Sequence, residues 1–257
     1  MSFPNFKNKY KEEPLFTPKE FLEYKKKLKK HPKFKPPTGV IFCYSKRLLN
    51  FVIKNYKVKK ADGFGGEFYL LKETNNEIGI IGNFGVGAPI VSTLMEEFIA
   101  FGVKRFLSIG EAGSLQKDLK VGCIVVCEKA IRDEGTSYHY LRPSKYIDAS
   151  KSMIEKIKKV LNNSKTKYKI GTTWTTDAPY RETLSEIKKY KKENVLTVEM
   201  EASAIFAIAK YRKVEAGAIF TISDYLLESE WKPRFHLTTK FLKRLFRIAK
   251  KVLLIKK

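Results

Sequence analysis

Two carboxylates flank a methionine in Val198-Glu199-Met200-Glu201-Ala202, where an apolar run gives way to a helical one. Carboxylates are seldom left buried without partners. A sugar diol is a natural partner, because each carboxylate accepts hydrogen bonds from hydroxyls. Glu201 also opens the predicted helix, where the macrodipole favours negative charge. An ordinary acid in a first helical turn accounts for one of these glutamates but not for both. A third acid, Asp224, closes Thr221-Ile222-Ser223-Asp224 at the carboxyl end of a predicted strand. That is first a place for a site residue, with a capping or turn aspartate as the lesser alternative.

Two glycine-containing stretches lie beside strands. Gly82-Asn83-Phe84-Gly85-Val86-Gly87-Ala88-Pro89 joins a predicted strand to a helix, but the third glycine of a dinucleotide fingerprint would fall at Ile90. A tight turn that lets the helix pack on the sheet is the reading that remains. Ser108-Ile109-Gly110-Glu111-Ala112-Gly113-Ser114 follows a second strand. Small residues there let a ligand approach the backbone at the carboxyl end of a sheet, and a structural turn explains them as well.

The elements that must position these residues alternate. Strands are predicted at 40–43, 105–109, 123–129, 168–172, 195–198 and 216–222, with a hairpin from 68–72 and 78–82 about Asn75-Asn76. Helices are predicted at 46–56, 88–101, 150–161, 182–192, 202–211 and 239–254. The pattern predicts one α/β domain with a central mixed, largely parallel β-sheet flanked by helices over residues 38–257. Residues 1–37 read as an arm, with Thr17-Pro18-Lys19-Glu20 as a capping box that starts a short helix ending near Lys30.

Composition narrows the class. The 257 residues are 43% hydrophobic, enough for a full core, and no apolar run approaches the ~20 residues of a membrane span. The first ten residues lack the apolar centre of a signal peptide. Three cysteines, Cys43, Cys123 and Cys127, are too few for a disulfide framework and lack neighbouring ligands for a metal, so they read as reduced core thiols of a cytoplasmic protein. The net charge of +24 comes from lysines spread along the chain, which points to a solvated surface rather than to nucleic acid.

Taken in order, Gly85-x-Gly87-x-Pro89, the Ser108-to-Gly113 segment, the glutamate-methionine-glutamate run and Ser223-Asp224 resemble the hexameric nucleoside phosphorylases. That family holds purine nucleoside and uridine phosphorylases and related hydrolytic nucleosidases. The stretches 134–139 and 176–181 also look like uridine-phosphorylase-like members. The resemblance implies that Glu201 binds the ribose hydroxyls, Met200 packs on the sugar and Glu199 supports both. It implies that Asp224 binds the base, and for a purine protonates it, with Arg234 assisting. Tyr180 would stack on the base, Arg181 would hydrogen-bond it and Ser223 would help bind it, and Arg47, Ser108 and Gly110 would hold phosphate. It further implies inorganic phosphate as co-substrate with no other cofactor and no metal, and a homo-oligomer, dimer or hexamer.

The departures from that family centre on phosphate. Phe42-Cys43-Tyr44-Ser45-Lys46-Arg47 replaces a glycine-rich acidic loop, Ser108 stands where phosphorylases carry an arginine, and Glu111 stands where they carry serine or threonine. Two like charges ~4 Å apart repel by about 4 kcal/mol at an effective dielectric of 20. Glu111 therefore leaves three readings: phosphorolysis with the charge offset by Lys46 or Arg47, hydrolysis with Glu111 activating water, or nucleoside or nucleic-acid binding without turnover.

Overall fold

The computed structural model describes residues 6–226 and 230–255. In chain order they form α1 (Pro18–Lys27), β1 (Gly39–Cys43), α2 (Lys46–Asn55), β2 (Val58–Ala61), β3 (Glu67–Leu71), β4 (Ile78–Gly82), α3 (Ala88–Phe101), β5 (Arg105–Ser114) and β6 (Ile124–Asp133). There follow β7 (Tyr146–Asp148), α4 (Lys151–Asn163), β8 (Lys169–Thr176), α5 (Leu184–Lys192), β9 (Thr197–Glu199), α6 (Ala202–Arg212), β10 (Glu215–Leu226), β11 (Trp231–Pro233) and α7 (Thr239–Leu254). The strands make one mixed sheet in an α/β fold. Its centre, β4-β1-β5-β10, is parallel, and the β2-β3-β4 edge is antiparallel. Strand β10 pairs with β5 on one side and β6 on the other, β6 pairs with β8, β8 with β9, and β9 returns to β5. These five strands therefore close on themselves, with the carboxyl ends of β5, β9 and β10 at one mouth.

Closure explains where the strands outrun the hydrophobic pattern. β5 continues past Ile109 to Ser114, β6 past Lys129 to Asp133, β8 past Thr172 to Thr176, and β10 past Ile222 to Leu226. With a partner on each side, polar and small residues keep their backbone groups paired inside the ladder. The segment from Ser108 to Ser114, expected to leave the sheet as a loop or turn, is thus strand throughout. Its small residues serve close packing: a Cβ on Gly113 would lie 2.4 Å from Leu226 Cδ1 and 3.1 Å from Asp224 Oδ2. A bulge between Ile222 and Asp224 re-aims the last residues of β10. Helix α5 starts at Leu184 rather than 182, because Thr183 caps it and forms a capping box with Glu186.

The helices cover the sheet by their patterning. In α6 every residue from Ala202 to Ala209 is buried, as expected of a helix that is apolar on all sides. In α7 the buried Leu242, Leu245, Phe246, Ala249, Val252 and Leu253 form one stripe, and its lysines and arginines face outward. Two acids of α3 are buried with partners: Glu96 holds Arg212 at 2.8–3.1 Å and Glu97 holds Lys25 at 2.6 Å. The second pair fastens α1 to the domain. The predicted capping box at Thr17 and Glu20 is formed, and residues 1–5 of the arm lie outside the described residues. No helix among the described residues is long and apolar enough to cross a membrane. Cys43 and Cys127 are buried thiols, as expected, while Cys123, just before β6, is only partly buried.

Candidate active site

The mouth of the closed strands opens into a cavity of about 720 Å³. Glu111, Ala112 and Gly113 from β5, Val198 and Glu199 from β9 with Met200 just after it, and Ser223 and Asp224 from β10 form its floor. Tyr180, Glu182, Leu184, Trp231 and Phe235 are among its walls. Six of the residues singled out in the sequence (Glu111, Tyr180, Glu199, Met200, Ser223 and Asp224) therefore share one space.

The two glutamates do different work. Glu199 Oε1 accepts from Thr175 Oγ1 at 2.5 Å, and its Oε2 accepts from the N–H groups of Glu201 and Ala202, both at 2.8 Å. Its acceptors are taken up by β8 and by the open donors at the start of α6. Glu199 is thus a fixed cap that sets the turn between β9 and α6. Glu201 Oε1 accepts from Gly87 N–H at 2.5 Å. Gly87 precedes α3 with φ at +105°, a backbone that glycine adopts without strain. The tight turn after β4 is therefore what brings a backbone donor to the second glutamate. Burial, then the charge of Glu199, holds the Glu201 carboxyl well above the usual carboxylate range. Burial raises Glu199 as well, against the hydrogen bonds it receives.

Asp224 is buried with both oxygens occupied. Ser223 Oγ donates to Oδ1 at 2.6 Å, and the Trp231 indole N–H donates to Oδ2 at 2.8 Å. Trp231 reaches it because β11 folds back on β10, pairing Asp224 with Pro233. The expected helper, Arg234, is exposed, and its guanidinium donates to the Pro233 carbonyl at 2.8 Å; the antiparallel return places the tryptophan on the acid instead. Arg181 is also exposed, at the end of the short turn Pro179–Arg181. Tyr180, on the same turn, is 99% exposed, so its ring has no protein partner to cover it.

Two of the residues expected at phosphate, Ser108 and Gly110, lie against Tyr44, which joins β1 to α2. Its hydroxyl lies 3.2 Å from the buried Ser108 Oγ, and its ring flanks Gly110. Burial, then the charge of Glu201, pushes the Tyr44 phenol well above its ordinary value. Arg47 is exposed in the first turn of α2 and donates to the Phe235 carbonyl at 3.1 Å. Glu111 accepts a hydrogen bond from Thr238 Oγ1. Burial raises its carboxyl, while the Thr238 hydroxyl and the Arg47 charge pull it back. Among the described residues no group of three or more histidines, cysteines and acids is placed to hold a metal ion.

Tyr44, Thr175, Glu182, Trp231 and Thr238 were not singled out in the sequence as site residues. Glu182 alone left a usable trace: Thr183-x-x-Glu186 is a capping-box signature that moves the helix start past it. Glu134 also fixes the site's frame, accepting from Ser203 Oγ at 2.8 Å and from Ser137 N–H at 2.9 Å.

A family model described as the Phosphorylase superfamily matches residues 37–253. The chain is 30% identical over 148 residues to a guanosine phosphorylase of Halorubrum lacusprofundi, covering 58% of this chain and 61% of that protein. It is 30% identical over 198 residues to a DeoD-type purine nucleoside phosphorylase of Buchnera aphidicola, covering 76% of this chain and 81% of that one. The match thus spans about six tenths of the Halorubrum protein's length. A crystal structure of uridine phosphorylase from Vibrio fischeri superposes with a TM-score of 0.70 at 23% identity, over 86% of this chain and 90% of that one, a likeness of fold.

Proposed function

Because the chain belongs to the phosphorylase superfamily, we propose that it is a nucleoside phosphorylase. It cleaves the N-glycosidic bond of a purine nucleoside or uridine with phosphate, giving free base and pentose 1-phosphate. The observation that carries this reading is the cavity in which the Glu199-Met200 strand end and Asp224 face one another. Matched relatives in Halorubrum and Buchnera are named as phosphorylases of guanosine and purine nucleosides.

In this mechanism Glu201 accepts hydrogen bonds from the ribose hydroxyls, Met200 packs on the sugar, and Glu199 holds the turn that aims both. Departure of the base leaves an oxocarbenium-like sugar, as in glycoside hydrolysis. Asp224, steadied by Ser223, hydrogen-bonds the leaving base and lowers the barrier. Tyr180 stacks on the base. Phosphate enters beside Tyr44, Ser108, Gly110 and Arg47, and attacks the opposite face of the sugar. No cofactor is needed beyond phosphate as co-substrate. The protein acts in the cytoplasm as a homo-oligomer, dimer or hexamer, with the arm and the 138–140 segment near a subunit contact.

A second reading has its own observation. Glu111 is a partly buried acid on the cavity floor, raised by burial. Such a group is suited to take a proton from water, which would make the enzyme a hydrolytic nucleosidase. Incubation with inosine, adenosine, guanosine and uridine, with and without phosphate, separates the two. Base release that requires phosphate supports phosphorolysis, base release that ignores it supports Glu111 and water, and release from none of the four removes both.

A further inference from the structure

Two acids of the cavity, Glu182 and Glu230, have no part in that mechanism, and Glu230 is paired with Lys232 at 2.6 Å. Glu182 lies between the Pro179–Arg181 turn and Thr183, the cap of α5, partly buried on the same wall as Tyr180 and Leu184. Thr183 and Glu186 satisfy each other in their capping box and make no demand on it. Among the described residues no donor hydrogen-bonds the Glu182 carboxylate. The side-chain charges that act on it, from Asp224 on β10 and Glu186 on α5, are both negative. Burial, then Asp224, then Glu186 push its carboxyl up to about 7. A carboxylate in such a place is costly unless a ligand brings donors to it.

An ionised carboxylate only accepts hydrogen bonds, through two oxygens side by side. Guanine carries two donors on one edge, N1–H and the 2-amino group, spaced to meet both oxygens. Hypoxanthine offers N1–H alone. Adenine sets a lone pair at N1 beside its 6-amino donor, and uracil sets a single N–H between two carbonyls. A base held through its five-membered ring by Asp224 has its six-membered edge left for a second acid in the same cavity. We propose that Glu182 is the specificity-determining residue of the base subsite, its carboxylate receiving N1–H and the 2-amino group of guanine. The proposal rests on the nucleoside-cleaving reading above and deepens it by naming the nucleoside as guanosine. Sites built around such hydrogen bonds reject analogues that lack the donors, because the protein group is then left unpaired.

The test is equilibrium binding of free guanine, hypoxanthine, adenine and uracil to the full chain at pH 8.5, above the value of about 7 to which burial raises Glu182. Free bases bind as products whichever acceptor the enzyme uses. The wild-type protein binds guanine roughly tenfold or more tighter than hypoxanthine, the increment of one charge-assisted hydrogen bond, and adenine and uracil more weakly still. Glu182→Gln replaces one acceptor with a donor. It lowers guanine affinity roughly 10- to 100-fold and leaves adenine unchanged or tighter, since an amide presents the donor–acceptor pair that adenine matches. Glu182→Ala reproduces the guanine loss without an adenine gain, and melting temperatures no lower than that of wild type exclude a folding defect. Equal losses for guanine and adenine, or an unaltered order of preference, overturn the assignment of Glu182. Failure of the wild-type protein to bind any of the four bases overturns the nucleoside reading itself.

Discussion

Glu201→Gln is expected to make the protein more stable and less active at once. The substitution keeps the shape of the side chain and its acceptor for Gly87 N–H, and removes only the charge. In the folded chain burial and the neighbouring Glu199 raise the Glu201 carboxyl above its ordinary value of 4.5. As pH climbs from there, the unfolded chain releases this proton while the folded chain retains it. The folded state then binds more protons, so stability falls with rising pH until the raised value is passed. Each pK unit of upward shift is worth ~1.4 kcal/mol, and in a chain of this size 1 kcal/mol moves the melting temperature by about 2–4 °C. Thermal melts should therefore show Glu201→Gln a few degrees above wild type at pH 8.5, with the gap closing by pH 5. In the same samples nucleoside cleavage should fall by roughly 30-fold or more, since hydrogen bonds to a charged acceptor contribute ~1.5–3 kcal/mol each. A variant melting below wild type at pH 8.5, or one retaining full activity, would refute the assignment of Glu201 as a strained, sugar-binding acid.

Three further substitutions probe other parts of the site. Glu111→Gln should lower KM for phosphate about tenfold, because relieving a third of the ~4 kcal/mol repulsion between charges ~4 Å apart suffices; loss of turnover instead would favour water activation. Gly113→Ala places a methyl 2.4 Å from Leu226 Cδ1 and beside Asp224 Oδ2. It should cost ~1–3 kcal/mol of stability and reduce kcat, read by denaturant melts and steady-state kinetics, and an unperturbed enzyme would contradict the packing described. Trp231→Phe removes the indole donor from Asp224 Oδ2. KM for the nucleoside should then change while the melting temperature moves by less than a few degrees, because the Trp231 ring is 61% exposed.

The fold was legible in the sequence wherever periodicity carried it. The capping box at Thr17, the apolar run of α6 and the stripe of α7 announced helices, and the alternation of elements announced the α/β class. The strand ends were harder to read for a physical reason. Thr173 to Thr176, Gly110 to Ser114 and Ser223-Asp224 lack an apolar pattern, yet they stay in the sheet because closure of five strands supplies backbone partners. Of those ends Glu111 to Gly113 and Ser223-Asp224 line the cavity, so part of what obscures the strands also builds the site. The glutamate pair was visible as a pair, but its division of labour was not. That Glu199 is held by Thr175 and the start of α6 while Glu201 holds the Gly87 N–H depends on residues 24 and 114 positions away along the chain. Trp231 on Asp224 depends likewise on the return of β11, which no local pattern marks.

The most direct test of the account is to follow inorganic phosphate itself. Phosphorus NMR of the full chain with guanosine, inosine or uridine and phosphate should show phosphate consumed and a pentose 1-phosphate formed in step with free base, with Glu201→Gln slowed in parallel. Base released with the phosphate signal unchanged, or no base released from any nucleoside, would contradict it.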